Sequence, residues 1–438
     1  MRKVLSAAAA LGMCLALPAA ALAGAGMSDE QILKELEYLR NKVASQQEHI
    51  DALGAMVDKK VSAKVQEEVK KAGGSGGSSK VALANEFIDQ LTLKGDLRAR
   101  YERQDKEYYA QANLADVARD RWRTRFRVGG VWDNKSEDWQ VGAGLASGSD
   151  DPTSTNDTWS EVKSFETGDI RLDYAYAKHK IQDFNVILGQ QINPYETSWV
   201  LWDGDVRLAG LTGQYGGKEG IFATLGGYNA KLVNDDNAAM LYMGQAGYRG
   251  KVGDVAYAVA AGYSKYDQSF INDKASTSLN NIDPSQYALE IGDLYGKVSF
   301  PVVSAKLSLY AHIWQNFGAD GDTGESQAKG FPKKPGDADL GWVIGLDAKL
   351  DKVRLGYAYS VVEADSMYGY LGDSDFGDGL GMSKTNKKGH RVQAGYDFTK
   401  NWSADITWMS YEQDEAYFSA DNKVDSVDLY QFDVNYKF

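Results

Sequence analysis

From Leu91 to Phe438 apolar and polar residues alternate with a period of two, and this pattern constrains the fold more than any other feature. Leu91, Leu93, Leu97, Ala99 and Tyr101 alternate with Thr92, Lys94, Asp96, Arg98 and Arg100. Next, Trp122, Thr124, Phe126, Val128, Gly130 and Trp132 share one face, and Arg121, Arg123, Arg125 and Arg127 share the other. Such a period belongs to a β-strand with one face in an apolar medium and one in water. Trp122 and Trp132 stand on the apolar face at the two ends of one strand. At ~3.3 Å per residue and a tilt of ~40°, their separation spans about 25 Å along a membrane normal, the height of a lipid band between two aromatic girdles.

Sixteen such segments can be read: 91–101, 121–132, 139–147, 170–179, 184–190, 208–215, 221–228, 239–249, 255–263, 291–300, 305–315, 341–350, 353–362, 390–398, 402–411 and 427–438. The connections between them alternate in length. The first, 102–120, is long, and the second, Asp133 to Asp138, is short; the order repeats to 412–426. A soluble sandwich has no reason to keep that order, whereas a membrane barrel has long loops at one rim and tight turns at the other. The expected fold is therefore all-β: a 16-stranded antiparallel transmembrane β-barrel over 85–438. Long connections 148–169, 264–290 and 363–389 could each hold a further hairpin, which leaves 18 strands as the alternative. The composition agrees: 26 Tyr and 10 Trp supply rings suited to the membrane interface.

A different organisation precedes residue 85. Arg2 and Lys3, an apolar stretch Val4 to Leu17, and Ala21-Leu22-Ala23 have the form of a signal peptide over 1–23. Cys14 lies inside it, so a mature chain cut after Ala23 has no thiol chemistry and no disulfide. Over 28–70, Ile32, Leu36, Leu39, Val43, Ile50, Leu53 and Val57 recur at steps of four and three, the signature of an α-helical coiled coil. One apolar stripe cannot be buried by a lone helix, so this rod implies association; packing on the barrel is the competing reading. Residues 71–84 contain Gly73-Gly74-Ser75-Gly76-Gly77-Ser78-Ser79 and read as a flexible linker. The formal charge of −13 argues against nucleic acid as a partner.

The last strand runs Tyr430-Gln431-Phe432-Asp433-Val434-Asn435-Tyr436-Lys437-Phe438. Terminal Phe438 with Tyr436 two residues earlier resembles the signal by which Gram-negative bacterial porins are taken up by the barrel-assembly machinery. The strand Leu93-Lys94-Gly95-Asp96-Leu97-Arg98-Ala99-Arg100-Tyr101 is similar to the first strand of porins grouped as general or phosphate-selective-like. Leu188-Gly189-Gln190-Gln191 with Asn193-Pro194-Tyr195 resembles the segment leading into their constriction loop. The N-terminal rod departs from general-diffusion porins and resembles those with an added periplasmic helix. The resemblance implies an outer-membrane protein embedded in lipid, a homotrimer, a water-filled pore, and short turns with the rod on the periplasmic side, where the rod could reach peptidoglycan.

Function would then sit on the inward face. Arg98, Arg100, Arg121, Arg123, Arg125 and Arg127 form a basic row on the first two strands, and Arg171 shares their parity. Guanidiniums lining a pore create a transverse or anion-favouring field; the same ladder could instead pair with an inserted loop and stiffen the wall. The third long connection, 191–207, carries Glu196, Asp203 and Asp205, expected to oppose the arginines, with Trp199 and Trp202 as sugar-stacking or packing residues. Asp320, Asp322 and Glu325, and also Asp373, Asp375 and Asp378, are calcium-ligand types in Gly-containing loops, but neither group matches an EF-hand and solvated acidic loop is the better reading of both. No cofactor motif is present. Only four His occur, and no sequence element ties one to a Ser and a third group, so catalysis is not expected. The reading is passive diffusion of small hydrophilic solutes and ions, with a sugar- or anion-selective channel, or a barrel-anchored tether to peptidoglycan, as alternatives.

Overall fold

The computed structural model describes residues 90–438 except 235–236, 276–278, 280–281, 321–330, 381–383 and 419–422. The expected signal peptide, coiled coil and linker lie outside the described residues, as do Asp322 and Glu325.

Among the described residues, sixteen long strands form one closed antiparallel sheet: β1 (Leu91–Tyr108), β2 (Val117–Asn134), β3 (Trp139–Ser147), β4 (Ile170–Ile181), β5 (Phe184–Ile192), β6 (Arg207–Tyr215), β7 (Gly220–Asn234), β8 (Asn237–Val252), β9 (Val255–Tyr266), β10 (Glu290–Val302), β11 (Ala305–Asn316), β12 (Leu340–Leu350), β13 (Val353–Val362), β14 (Lys387–Asp397), β15 (Trp402–Gln413) and β16 (Val424–Lys437). Each pairs with its neighbours in sequence, and β1 closes against β16 from Asp96↔Lys437 to Tyr108↔Val424. Closure leaves no sheet edge to be solvated in lipid. Several strands outrun the alternating segments at the long-loop end, because the hydrogen-bond ladder continues after the lipid-facing pattern stops. One further strand of two residues, Asp157–Thr158, pairs with Arg123 and Thr124 where β3 ends short.

The polarity of the barrel is inverted relative to a soluble protein. Leu93 and Ile221 are each 67 % exposed on the outside, whereas Arg100, Glu102, Gln104 and Gln431 are buried on the inside. This is the expected consequence of alternation when lipid takes the place of a core.

Among the described residues, the connections 148–169, 264–290 and 363–389 add no further hairpin to the sheet. L3 (193–206), L5 (267–289) and L7 (363–386) turn inward instead and fill the lumen with apolar side chains. In L5, Asp267 caps α1 (Gln268–Lys274) by accepting from the Phe270 N–H at 3.1 Å, and α1 buries Phe270 and Ile271. These pack with Trp202, Val206, Tyr266, Leu289 and Met367 into one cluster. Phe376 and Leu380 of L7 pack on Met409, Tyr411, Val427 and Leu429 of β15 and β16.

Candidate functional site

L3 leaves the wall because Pro194 has no N–H to continue the ladder, and the Asn193 side chain accepts from the Tyr195 N–H at 3.0 Å. The loop is then pinned residue by residue to the far wall. The Tyr195 hydroxyl lies 3.1 Å from that of Tyr228 and donates to the Met243 carbonyl at 3.2 Å. The Glu196 backbone and Gln245 side chain exchange two hydrogen bonds of 2.8 Å. Val200, Leu201 and Trp202 are buried in the apolar cluster, so Trp202 is a packing residue. Trp199 donates to the Tyr310 hydroxyl at 3.0 Å and lies under the Arg391 guanidinium, 4.4 Å from its ring centre.

Pinning L3 in this way carries its acidic end across the lumen to β2. Asp205 accepts from Arg127 at 3.1 Å and from the Thr155 backbone and hydroxyl at 3.1 and 2.8 Å. Burial opposes ionisation of Asp205, but Arg127, Thr155 and Arg125 prevail and hold its carboxyl below the usual range. Asp203 accepts from the Asp205 N–H at 2.6 Å and the Ser374 N–H at 3.2 Å, and its own N–H donates to the Leu371 carbonyl at 2.7 Å. The Asp373 N–H in turn donates to the Trp199 carbonyl at 3.2 Å. L3 and L7 are thus stitched into one partition. Burial, then Asp373 and Asp205, push Asp203 up to about 8. Burial raises Asp373 as well, against Arg391. Each of the two carboxyls opposes ionisation of the other, so both are shifted upward.

The arginine ladder is set by strand register. Asp96 faces Arg127, Arg98 faces Arg125, Arg100 faces Arg123 and Glu102 faces Arg121 across β1 and β2, while Arg100 faces Asp433 across β1 and β16. Arg100 makes a two-point contact with Asp433 at 2.7 and 2.8 Å, and reaches Asp375 of L7 at 3.0 Å. Arg123 lies 3.7 Å from both Glu102 and Asp375; Arg121 pairs with Glu102; Arg125 and Arg127 share Asp96, each at 2.8 Å. Burial opposes ionisation of Asp375, yet Arg100 and Arg123, with the Gln431 amide, hold it far below the carboxylate range. The ladder is therefore matched by carboxylates from both wall and loops, so it clamps L7 rather than presenting a bare row of positive charge.

Two cavities lie on either face of the partition. One, of about 970 Å³, opens toward the short-turn rim and is lined by Arg98, Arg100, Arg125, Asp203, Asp205 and Arg391 among others. The second, about 460 Å³, is lined by Trp202, Val206, Lys231, Tyr368, Leu371 and Lys384 among others.

A family model described as "Putative porin" matches residues 103–290 and 303–438. The chain belongs to this porin family. The barrel is accordingly that of a porin channel of the outer membrane. No curated protein matches the chain. Among solved structures, OprB of Pseudomonas putida covers 81 % of this porin and 96 % of its own chain at 14 % identity and a TM-score of 0.52. OmpF of Salmonella typhi covers 80 % of this porin and 97 % of its own chain at 12 % identity and a TM-score of 0.48. At such identities the first likeness concerns the fold alone.

Several of the expected roles change once the porin's inner face is described. Glu196 does not oppose the β1–β2 arginines; it pairs with Arg249 of β8 at 2.9 Å, because Gln245 holds its backbone on that wall. Arg171 faces no cavity: it is occupied by the carbonyls of Ser149, Asp151 and Ser154, and so folds the loop after β3. Arg121, Arg123 and Arg127 stand in the wall rather than at the large cavity. Asp375 and Asp378 are not arranged around a metal; they turn to Arg100 and Arg119, and no group able to hold a metal occurs among the described residues. Tyr436 and Phe438 lie on the outward side of β16, with their rings 6.2 Å apart.

Sequence reading missed the partners: Asp96, Glu102, Asp433 and Arg391. A carboxylate two places from an arginine on the inward parity was the available signal. It also missed one His. The Ser198 hydroxyl lies 2.8 Å from Nδ1 of His312, which also accepts the Ser198 backbone N–H at 3.2 Å, and Nε2 lies 3.1 Å from Asp293. A Ser, a His and an Asp are in line after all. A backbone N–H can only donate, so Nδ1 is the bare nitrogen and Nε2–H points to Asp293. Ser198 and His312 are both buried, Ser198 at the root of L3 and His312 on β11. The arrangement is a peg for L3.

Proposed function

We propose that the protein allows passive diffusion of small hydrophilic solutes and ions across the outer membrane, through a lumen narrowed by L3 and L7 together. The observation that carries this reading is the 970 Å³ cavity walled by charged side chains on both strand and loop residues. Charged walls keep a pore wet and exclude apolar solutes. Asp203 and Asp205 stand at the narrowing, with Arg98, Arg100 and Arg125 beside them, and the remaining ladder arginines hold the loops in place. A substrate-selective channel is the second reading, favoured by Phe270, Ile271 and Phe376 packed inside the lumen, which leave less room than an open pore. A homotrimer, recognition of Tyr436 and Phe438 by the assembly machinery, and contact of the N-terminal rod with peptidoglycan belong to the same proposal. They rest on the sequence pattern and the family.

Single-channel recording in planar bilayers tests it. Stepwise conductance, arriving in threes, is the expected result. Folded barrels that insert and stay silent overturn the channel reading and leave a plugged barrel that anchors the rod.

A further inference from the structure

The hydrogen bonding of the large cavity is unbalanced, and the imbalance has a sign. The carboxylates on and beside the partition are committed. Asp433 uses both oxygens on Arg100, and Asp375 is taken by Arg100 and by the Gln431 amide at 2.8 Å. Asp373 accepts the N–H groups of Asp375 and Phe376 at 3.0 and 2.9 Å, and Asp203 accepts those of Asp205 and Ser374.

Two guanidiniums lining the same cavity are not committed in this way. Arg98 reaches the Asn156 side chain, but Asp433 is 3.8 Å away and already engaged, and Arg98 Nε is buried without an acceptor. Arg391 has no carboxylate within 4 Å among the described residues. Its buried Nε lacks an acceptor, and the guanidinium sits over the Trp199 ring. The Nε atoms are sealed off, so what these two side chains offer the cavity they line is their terminal nitrogens, which carry more N–H groups than the wall carboxylates take up. A planar fork of N–H groups on a charged side chain fits an oxyanion better than a neutral hydroxyl.

We propose that this cavity is a binding site for a small oxyanion, a carboxylate or phosphate, held by Arg391 and Arg98 beneath the L3–L7 partition. This rests on the channel reading only for its consequence, which is that such anions are the favoured cargo. Trp199 supports Arg391 from one side, its ring centre 4.4 Å from the guanidinium carbon. The acidity of the whole chain does not oppose the site, because Asp433 and Asp375 are ion-paired and Asp203 and Asp373 accept backbone N–H groups.

Calorimetric titration of the folded full-length protein in detergent with acetate, and separately with inorganic phosphate, tests the site without requiring conduction. Saturable binding of one or both is expected, and which of them binds more tightly names the source. Arg391→Gln should weaken it about tenfold, the worth of one charge-assisted contact. Arg391→Lys should keep the charge and still lose most of the affinity. Lys265→Gln, an equal change of charge at an exposed residue paired with Glu290 outside this cavity, should bind as the wild type does. In bilayers under a KCl gradient, the reversal potential of the wild type should favour chloride, and Arg391→Gln should move it toward potassium. Absence of saturable binding, or equal binding by Arg391→Gln, overturns the site. Conduction with a potassium preference overturns its consequence for cargo. A silent barrel that still binds the anion sinks the channel reading and leaves the site standing.

Discussion

The ring of Phe438 lies over Gly95, and the two residues exchange backbone hydrogen bonds of 3.0 Å in each direction. A Cβ on Gly95 would sit 2.3 Å from that ring and 2.7 Å from the Arg127 carbonyl. The last residue of the chain therefore docks into a gap left by one of the first strand. Gly95→Leu should misplace Phe438 and destabilise closure by about 1–3 kcal/mol, the usual cost of overpacking. The measurement is the temperature at which the folded band is lost in heat-modifiability gels. An unchanged temperature would mean that the ring can move aside into lipid at no cost.

Arg100 is the clamp between wall and loop, with Asp433 on one side and Asp375 on the other. Its side chain is 6 % exposed and that of Asp433 is 9 %. Arg100→Ala takes the nearest cation from Asp433 and Asp375 and leaves them only Arg98 and Arg123 at 3.8 and 3.7 Å, which costs up to about 3–5 kcal/mol. Asp433→Asn keeps an acceptor and should cost less. Urea unfolding of the barrel in lipid compares the two; equal effects would show that burial of the carboxylates is relieved by water.

The two ends of the L3–L7 partition should respond oppositely to pH. The folded value of Asp203, about 8, lies above the ordinary value of 3.8. Its protonated form is the one the fold favours, so its stabilising share is full in acid and declines as pH rises toward 8. Asp375 is depressed instead. Its grip on Arg100 is present above the ordinary carboxylate range and is lost as pH falls below it. Amide protection factors, which are corrected for the intrinsic rise of exchange with pH, should fall in L3 and around Asp373 on going from pH 6 to 9, and Asp203→Asn should flatten that fall. Wild-type protection factors that stay flat over this range would contradict the raised Asp203 value.

His312 holds L3 through Ser198. His312→Ala removes the acceptor of two donors, leaving them buried at a cost of about 1–3 kcal/mol. The expected readouts are noisier open-channel current and faster proteolysis within 193–206. His312→Asn can offer an oxygen near the place of Nδ1 and should recover part of both. If His312→Ala is silent in both assays, L3 is held by Tyr195, Gln245 and the apolar cluster alone.

Sequence by itself determined the barrel, its strand order and the parity of each strand. Alternation is a local property: once lipid takes one face, Leu97, Trp122 and Phe432 must point outward and Arg98, Arg123 and Gln431 inward, whatever the rest of the chain does. The sixteen strands and the closing pair β1–β16 were legible on that ground, and so was the presence of the inward arginines. What each arginine meets was not. That depends on stagger between strands, which sets Arg100 opposite Asp433, and on which loops turn inward. The acidic run Asp373 to Asp378 reads like any solvated loop until Phe376 and Leu380 are seen to anchor it in the lumen, which brings Asp375 onto the ladder. Glu196 reads as a partner for the β1–β2 arginines until Gln245 turns it to Arg249. Contacts between distant segments follow from packing free energy summed over a whole loop, and no period in the sequence records that sum. The tertiary structure alone therefore decided that L3 and L7 form one partition, that most of the basic row is neutralised, and that Arg391 and Arg98 keep donors to spare.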